Sequence, residues 1–117
     1  LSFNKTGYDV CCNLGSLNIA VAMNRADKLG GLVSDSVQAL HRVARSSDLD
    51  CAPSIEKGNK ANRAIGLGAM YLHGFLATNH IYSDSPDAVE FTGIFFYTIA
   101  YHAFQESNTL AEKHGAL

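Results

Sequence analysis

The side chains with the most chemical reach in this chain are its three cysteines, Cys11, Cys12 and Cys51. A thiolate is a nucleophile, a metal ligand and a redox partner. Cys11 and Cys12 are neighbours, and that limits what they do together. In an extended segment successive side chains point to opposite faces, so one faces inward and the other outward. A disulfide between them needs strained geometry. The plainer reading is that both are small buried hydrophobes, as free cysteines often are. His41, His73, His80, His102 and His114 add imidazoles. With the cysteines they are a formal zinc donor set, but no Cys-x-x-Cys or His-x-x-x-His spacing occurs, so no metal is expected. His73 and His102 read as helix-flanking or hydrogen-bonded core residues.

Two further patterns have structural explanations. Gly66-x-Gly68 lacks the third glycine of a dinucleotide fingerprint and the Gly-Lys-Ser/Thr of a phosphate loop. Glycines two apart lie on one face of a strand and let another backbone come close there. Phe91, Phe95, Phe96, Tyr97 and Tyr101 fall at helical spacing and read as core. No tyrosine is singled out for radical transfer.

These residues need elements to hold them. Residues 1–8 read as loop. Tyr8 to Cys12 reads as a short strand, punctuated by Gly7. Asn13 to Ser16 reads as a bend. Leu17 to Met23 is apolar enough for a buried strand or a short helix, and periodicity does not decide between them. Gly30-Gly31 reads as a break. From Leu32 to about Ser46, Val33, Val37, Leu40 and Ala44 form one helical face, with Asp35, Gln38 and Arg42 away from it. Ser46-Ser47-Asp48 ends that pattern. Ala52-Pro53 is extended or turning. Ile55 to Asn62 is polar, either loop or exposed helix. Ala64 to Gly68 is a short apolar segment. Ala69 to Thr78 reads as helix, with Asn79 as its C-cap. The last helix has the strongest start signal: Ser85 as N-cap, then Pro86, with Asp87 and Glu90 near the positive end of the dipole. Ala88, Phe91, Phe95, Ile99, His102 and Leu110 recur along it, and Gly115 stops it. About 27 residues give roughly 40 Å of helix, long enough to pack against more than this chain offers. The fold class is mostly α with one or two short strands.

Bulk properties bound the function. With 117 residues the chain is about one domain. Net charge is -2, and 17% of residues are charged. That offers no electrostatic case for nucleic acid or an anionic membrane. Mean hydropathy is +0.01, and no apolar run is long enough to span a bilayer. No leader-like segment opens the chain. An odd number of irregularly spaced cysteines argues against a secreted disulfide framework and for a reducing, cytoplasmic setting. The chain lacks an initiator Met and opens in polar residues. It reads as a piece cut from something longer.

At Cys12-Asn13-Leu14-Gly15-Ser16-Leu17-Asn18-Ile19 the sequence resembles a known family, the large catalytic (alpha) subunit of class I ribonucleotide reductase, of the class Ib type in particular. The resemblance continues through Ala52-Pro53-Ser54-Ile55, Ala64-Ile65-Gly66-Leu67-Gly68-Ala69-Met70 and Leu72-His73-Gly74. It then runs through Phe91-Thr92, Phe95-Phe96-Tyr97, Ser107-Asn108 and Leu110-Ala111. It spans nearly the whole chain, in order. Cys-Asn-Leu-Gly-Ser and Ile-Gly-Leu-Gly together are specific; either alone is weak.

The resemblance implies a segment, residues 1–117, of a ten-stranded α/β barrel that is the catalytic domain. It implies reduction of ribonucleoside diphosphates to deoxyribonucleotides by thiyl-radical chemistry, with a cysteine pair oxidised to a disulfide each turnover. The cysteine directly before Asn-Leu-Gly-Ser is one of that pair, which puts the role on Cys12. Cys11 stands where relatives usually lack cysteine, and Cys51 sits in another context. The family's radical cysteine lies in an Asn-x-Cys-x-Glu motif, absent here. The second cysteine of the pair, the phosphate loop and the C-terminal redox and relay segments are also absent. Tyr71 stands where asparagine is expected.

No cofactor is expected on this segment. The family uses a dimetal-tyrosyl radical in its small subunit and a dithiol reductant. Implied partners are the diphosphate substrate, the radical-generating small subunit, a glutaredoxin- or thioredoxin-like reductant and nucleoside triphosphate effectors. The family is homodimeric. The segment alone is expected to be inactive. A second reading is a non-catalytic helical scaffold or interaction module derived from that enzyme. A third, a free-standing thiol redox protein, lacks the Cys-x-x-Cys such proteins use.

Overall fold

The computed structural model describes residues 6–47 and 50–116. Leu1 to Lys5, Asp48, Leu49 and Leu117 lie outside the described residues, and with them most of the expected N-terminal loop and part of the Ser46-Ser47-Asp48 stop. In chain order the elements are strand β1 (Cys12–Asn18), helix α1 (Ile19–Met23), a 3-10 turn (Ala26–Lys28), α2 (Leu29–Ser46), α3 (Pro53–Asn62), β2 (Ala64–Met70), α4 (Leu72–Thr78) and α5 (Pro86–His114). The mostly helical class with two short strands is as expected.

The two strands pair in parallel, with Cys12 opposite Ala64 and Asn18 opposite Met70. This corrects the local reading at the start of the chain. The strand begins at Cys12 instead of ending there, and the segment expected to bend is the strand itself. Asn13, Gly15 and Ser16 are poor strand formers in isolation. A ladder to a distant partner overrides that preference, because strand propensity is mostly packing context. Leu17 and Asn18 end the strand. Asn18 then caps α1, its Oδ1 accepting from the Val21 N–H at 3.2 Å. β2 likewise runs two residues further than expected, so Ala69 and Met70 are strand. The turn into α4 is made by Tyr71, whose φ of 74° is left-handed.

Gly30-Gly31 does not break the chain but lies inside α2. A Cβ on Gly30 would stand 2.7 Å from the His102 ring of α5. The glycine is there for close helix approach. Ile55 to Asn62 is helical, opened by Pro53 at the first turn. α5 starts as expected: the Ser85 hydroxyl accepts from the Ala88 N–H at 3.2 Å. At 29 residues it runs about 43 Å.

The core lies between one face of the strand pair and the helices. Ile19 and Val33 are completely buried, with Leu17, Ala22, Leu29, Phe95 and Ile99 around them and Leu67, Ala69, Phe75 and Phe91 packed at the edge. The expected α2 face is correct: Val33, Val37 and Ala44 are buried, and Leu40 lies against Gly15. α2 and α5 pack along each other more extensively than any other helix pair described, cross-linked where Gln38 Nε2 donates to Glu106 Oε1 at 3.0 Å. The aromatic series is only partly core. Phe75, Phe91 and Phe95 stack at 4.8 and 5.7 Å. Phe96, Tyr97 and Tyr101 are exposed, because the helix has packing partners on one side only. No helix among the described residues is long and apolar enough to cross a membrane.

Candidate functional site

The parallel register sorts the strand side chains into two sets. Leu17, Leu67 and Ala69 belong to the core under the helices, and Gly15 lies beneath Leu40 of α2. By alternation, Cys12, Leu14, Ser16 and Asn18 point the other way, as do their partners Ala64, Gly66, Gly68 and Met70. Among the described residues no helix packs on that second face. Leu14 keeps 78% of its surface exposed and Met70 50%. Gly66 makes room on it: a Cβ there would lie 2.7 Å from the Leu14 side chain and 3.7 Å from Cys12 Sγ. Gly68 is next along, beside the Ser16 hydroxyl. The two glycines thus share a face, as their spacing requires, but what approaches Gly66 is the Leu14 side chain and not the backbone expected.

Cys12 is the first residue of β1 and is half-buried. Its thiol lies 3.9 Å from the Asn13 carbonyl oxygen, a weak contact that leaves the sulfur its own geometry. Cys11 precedes the strand and is also half-buried, whereas Cys51 is exposed in the turn before α3. All three are free thiols. Among the described residues no three His, Cys, Asp or Glu side chains converge on a metal-sized site.

Sequence reasoning passed over the contacts that dock the segment leading into Cys12. The Asp9 N–H donates to the Ser54 carbonyl oxygen at 3.0 Å, and the Ser54 hydroxyl donates to Asp9 Oδ2 at 2.5 Å. Gly58 of α3 sits directly against the Asp9 backbone. The only sequence signal was a glycine inside a polar helical stretch.

The histidines go to other work. His102 fills the notch over Gly30. His41 of α2 stacks on His114 of α5, ring centres 5.3 Å apart, and Arg45 is bonded to His114 at 2.7 Å. Burial first, then His114, Arg45 and Arg63, hold the His41 pKa below its ordinary value. His114 is lowered too, by burial and then by Arg45, Lys113 and Arg63. These rings belong to the α2–α5 seam.

The comparisons with known proteins identify a family. The family model described as "Ribonucleotide reductase, barrel domain" matches residues 2–117. Similar proteins include the ribonucleoside-diphosphate reductase subunits alpha of Mycoplasma genitalium and Mycoplasma pneumoniae, 59% and 57% identical over 115 residues. Each alignment covers 98% of this chain and 16% of the relative. The subunit alpha of Bacillus subtilis is 40% identical over 114 residues, covering 96% of the chain and 16% of the relative. The chain thus spans about a sixth of the length of the curated relatives it matches. It belongs to the ribonucleotide reductase family, as a segment of the barrel domain of a class I alpha subunit.

Proposed function

We propose that this segment forms part of the catalytic wall of a ribonucleoside-diphosphate reductase, and that Cys12 is one of the two cysteines that reduce the substrate. The observation carrying the proposal is the position of Cys12. It opens β1 on the face that no helix covers, beside Ala64 and Gly66, with small residues leaving space over the thiol. In a barrel domain the helices lie outside, so the bare face is the interior.

The chemistry calls for such a thiol. Converting a ribonucleoside diphosphate to its deoxy form replaces the 2′-hydroxyl by hydrogen and releases water. Two electrons are consumed. Two thiols supply them by closing to a disulfide, and an external dithiol later reopens it by exchange. Cys12 gives one sulfur. The second sulfur, the thiyl radical and the phosphate site belong to other parts of the subunit. The working assembly then includes a radical-generating small subunit with its dimetal-tyrosyl centre, a glutaredoxin- or thioredoxin-like reductant, nucleoside triphosphate effectors and a second alpha subunit, in the cytosol.

The test is Cys12→Ser in the alpha subunit carrying this segment. Turnover supported by the dithiol protein is abolished, whereas Cys11→Ser and Cys51→Ser leave it intact. Sustained turnover by Cys12→Ser overturns the proposal. One observation favours a scaffold role alongside: Val89, Ile94, Tyr97, Tyr101 and Phe104 of α5 are exposed. Self-association that survives Cys12→Ser would support that second reading.

A further inference from the structure

We infer that Asp9, Ser54 and Gly58 form a clamp that positions Cys12, an inference that rests on the redox role proposed for that cysteine. Cys12 is the first residue of its strand. Strand ends fray, and a terminal residue has ladder support on one side only. On the other side the chain would be free, but it is docked at Asp9. The Asp9 N–H donates to the Ser54 carbonyl at 3.0 Å and the Ser54 hydroxyl returns a bond to the Asp9 carboxylate at 2.5 Å. The Asp9 carbonyl oxygen packs so closely on α3 that a Cβ at Gly58 would stand 1.9 Å from it. A glycine in mid-helix is unfavourable in itself, and this contact is what it makes possible.

The docking platform is itself fixed. Asn59, one residue along, is 5% exposed and its Nδ2 donates to the Ala44 carbonyl of α2 at 2.6 Å. α3 ends at Asn62, and the N–H of the capping Arg63 returns to the Asn59 carbonyl at 2.8 Å. The next residue is Ala64, the register partner of Cys12. One short helix therefore holds Cys12 from both sides, through Asp9 before it and through Ala64 across the ladder. Disulfide closure tolerates little error in position, with Cα atoms roughly 4.4–6.8 Å apart. A clamp on the approach segment keeps the thiol within that range.

The experiment uses the reduced alpha subunit carrying this segment, assayed with its small subunit and a ribonucleoside diphosphate. Ser54→Ala removes only the hydroxyl. We expect kcat to fall roughly ten- to a hundredfold, up to the loss a 1 Å misplacement of a reacting group can cause, with KM for the diphosphate unchanged. We also expect iodoacetamide to alkylate Cys12 severalfold faster, measured by peptide mass spectrometry against Cys51 in the same molecule. Ser54→Thr keeps the hydroxyl and restores both values. Gly58→Ala is the severer version, and if it does not fold Ser54→Ala still decides. Wild-type kcat and wild-type alkylation in Ser54→Ala overturn the clamp, as does a kcat loss with alkylation unchanged. Failure of the Cys12 role is separately visible. Cys12→Ser would then keep turning over, while the alkylation shift in Ser54→Ala persists.

Discussion

Leu14 and Leu17 stand on one strand, three positions apart. Leu14 leaves 78% of its surface exposed and Leu17 9%. Each looks onto a different face of the same strand pair. Under Leu17 the helices close a core in which Ile19 and Val33 have no exposed surface. Beside Leu14 there are Cys12, Ser16, Gly66, Gly68 and Met70, with no helix among the described residues. The helical face is finished by this chain's own residues. The cysteine face is an open surface on which exposed Leu14 and Met70 stand among small residues beside a thiol. The two-residue period of a strand thus separates the packed core from the thiol proposed as reductant.

Substitutions on the two faces should therefore have unequal costs. The largest effect is expected from Phe95→Ala, which removes the buried ring stacked on Phe91. It should cost about 3–5 kcal/mol, read as a fall in the urea midpoint of the chain. Next is Gly30→Ala. A methyl there meets His102, and overpacking outweighs the gain in helix propensity by about 1 kcal/mol. In a His102→Ala background the sign should reverse, since only the propensity gain is left. Leu14→Ala on the open face should change stability by less than about 0.5 kcal/mol. A cost near that of Phe95→Ala would break the comparison, because the two faces would then be equally load-carrying.

The smallest and most graded effect is with pH. The folded-state pKa values of His41 and His114 are lowered. The unfolded chain therefore binds protons more readily than the folded one. Their contribution is fully present above the ordinary value of 6.5 and is lost as pH falls from there through the lowered values. The melting temperature of the chain should decline on acidification from pH 7.5 to 5.5, and His41→Gln should flatten the slope.

The parts of the fold legible in the sequence were those with local causes. Ser85-Pro86 and Gly115 bounded α5, and the Val33-Val37-Leu40-Ala44 spacing gave the packed face of α2. The parts that were not legible depend on distant partners. Nothing local in Asn13-Leu14-Gly15-Ser16 announces a strand; its ladder is with Ala64 to Met70. Gly30 looked like a break because its reason, the His102 ring, lies on another helix. Tyr97 and Tyr101 had core-like spacing, yet α5 offers more apolar circumference than the other helices cover. For the candidate site, the family resemblance singles out Cys12, whose proposed role awaits the Cys12→Ser test; the face it occupies was not legible, since face follows from register. Asp9, Ser54 and Gly58 gave almost no signal, because a docking contact between two short segments has no periodicity.

The parallel pairing has a consequence for the chain as it is made. A ribosome adds roughly 5–20 residues per second, N-terminus first. Cys12 and its register partner Ala64 are about 50 residues apart, so the thiol is synthesised roughly 3–10 seconds before the strand that is to flank it. During that interval α3 and β2 do not exist, and neither the ladder nor the Asp9 contact restrains the cysteine. The residue proposed to be oxidised once per turnover in the finished enzyme is, at birth, an unshielded thiol, whose safety then depends on the reducing capacity of its surroundings.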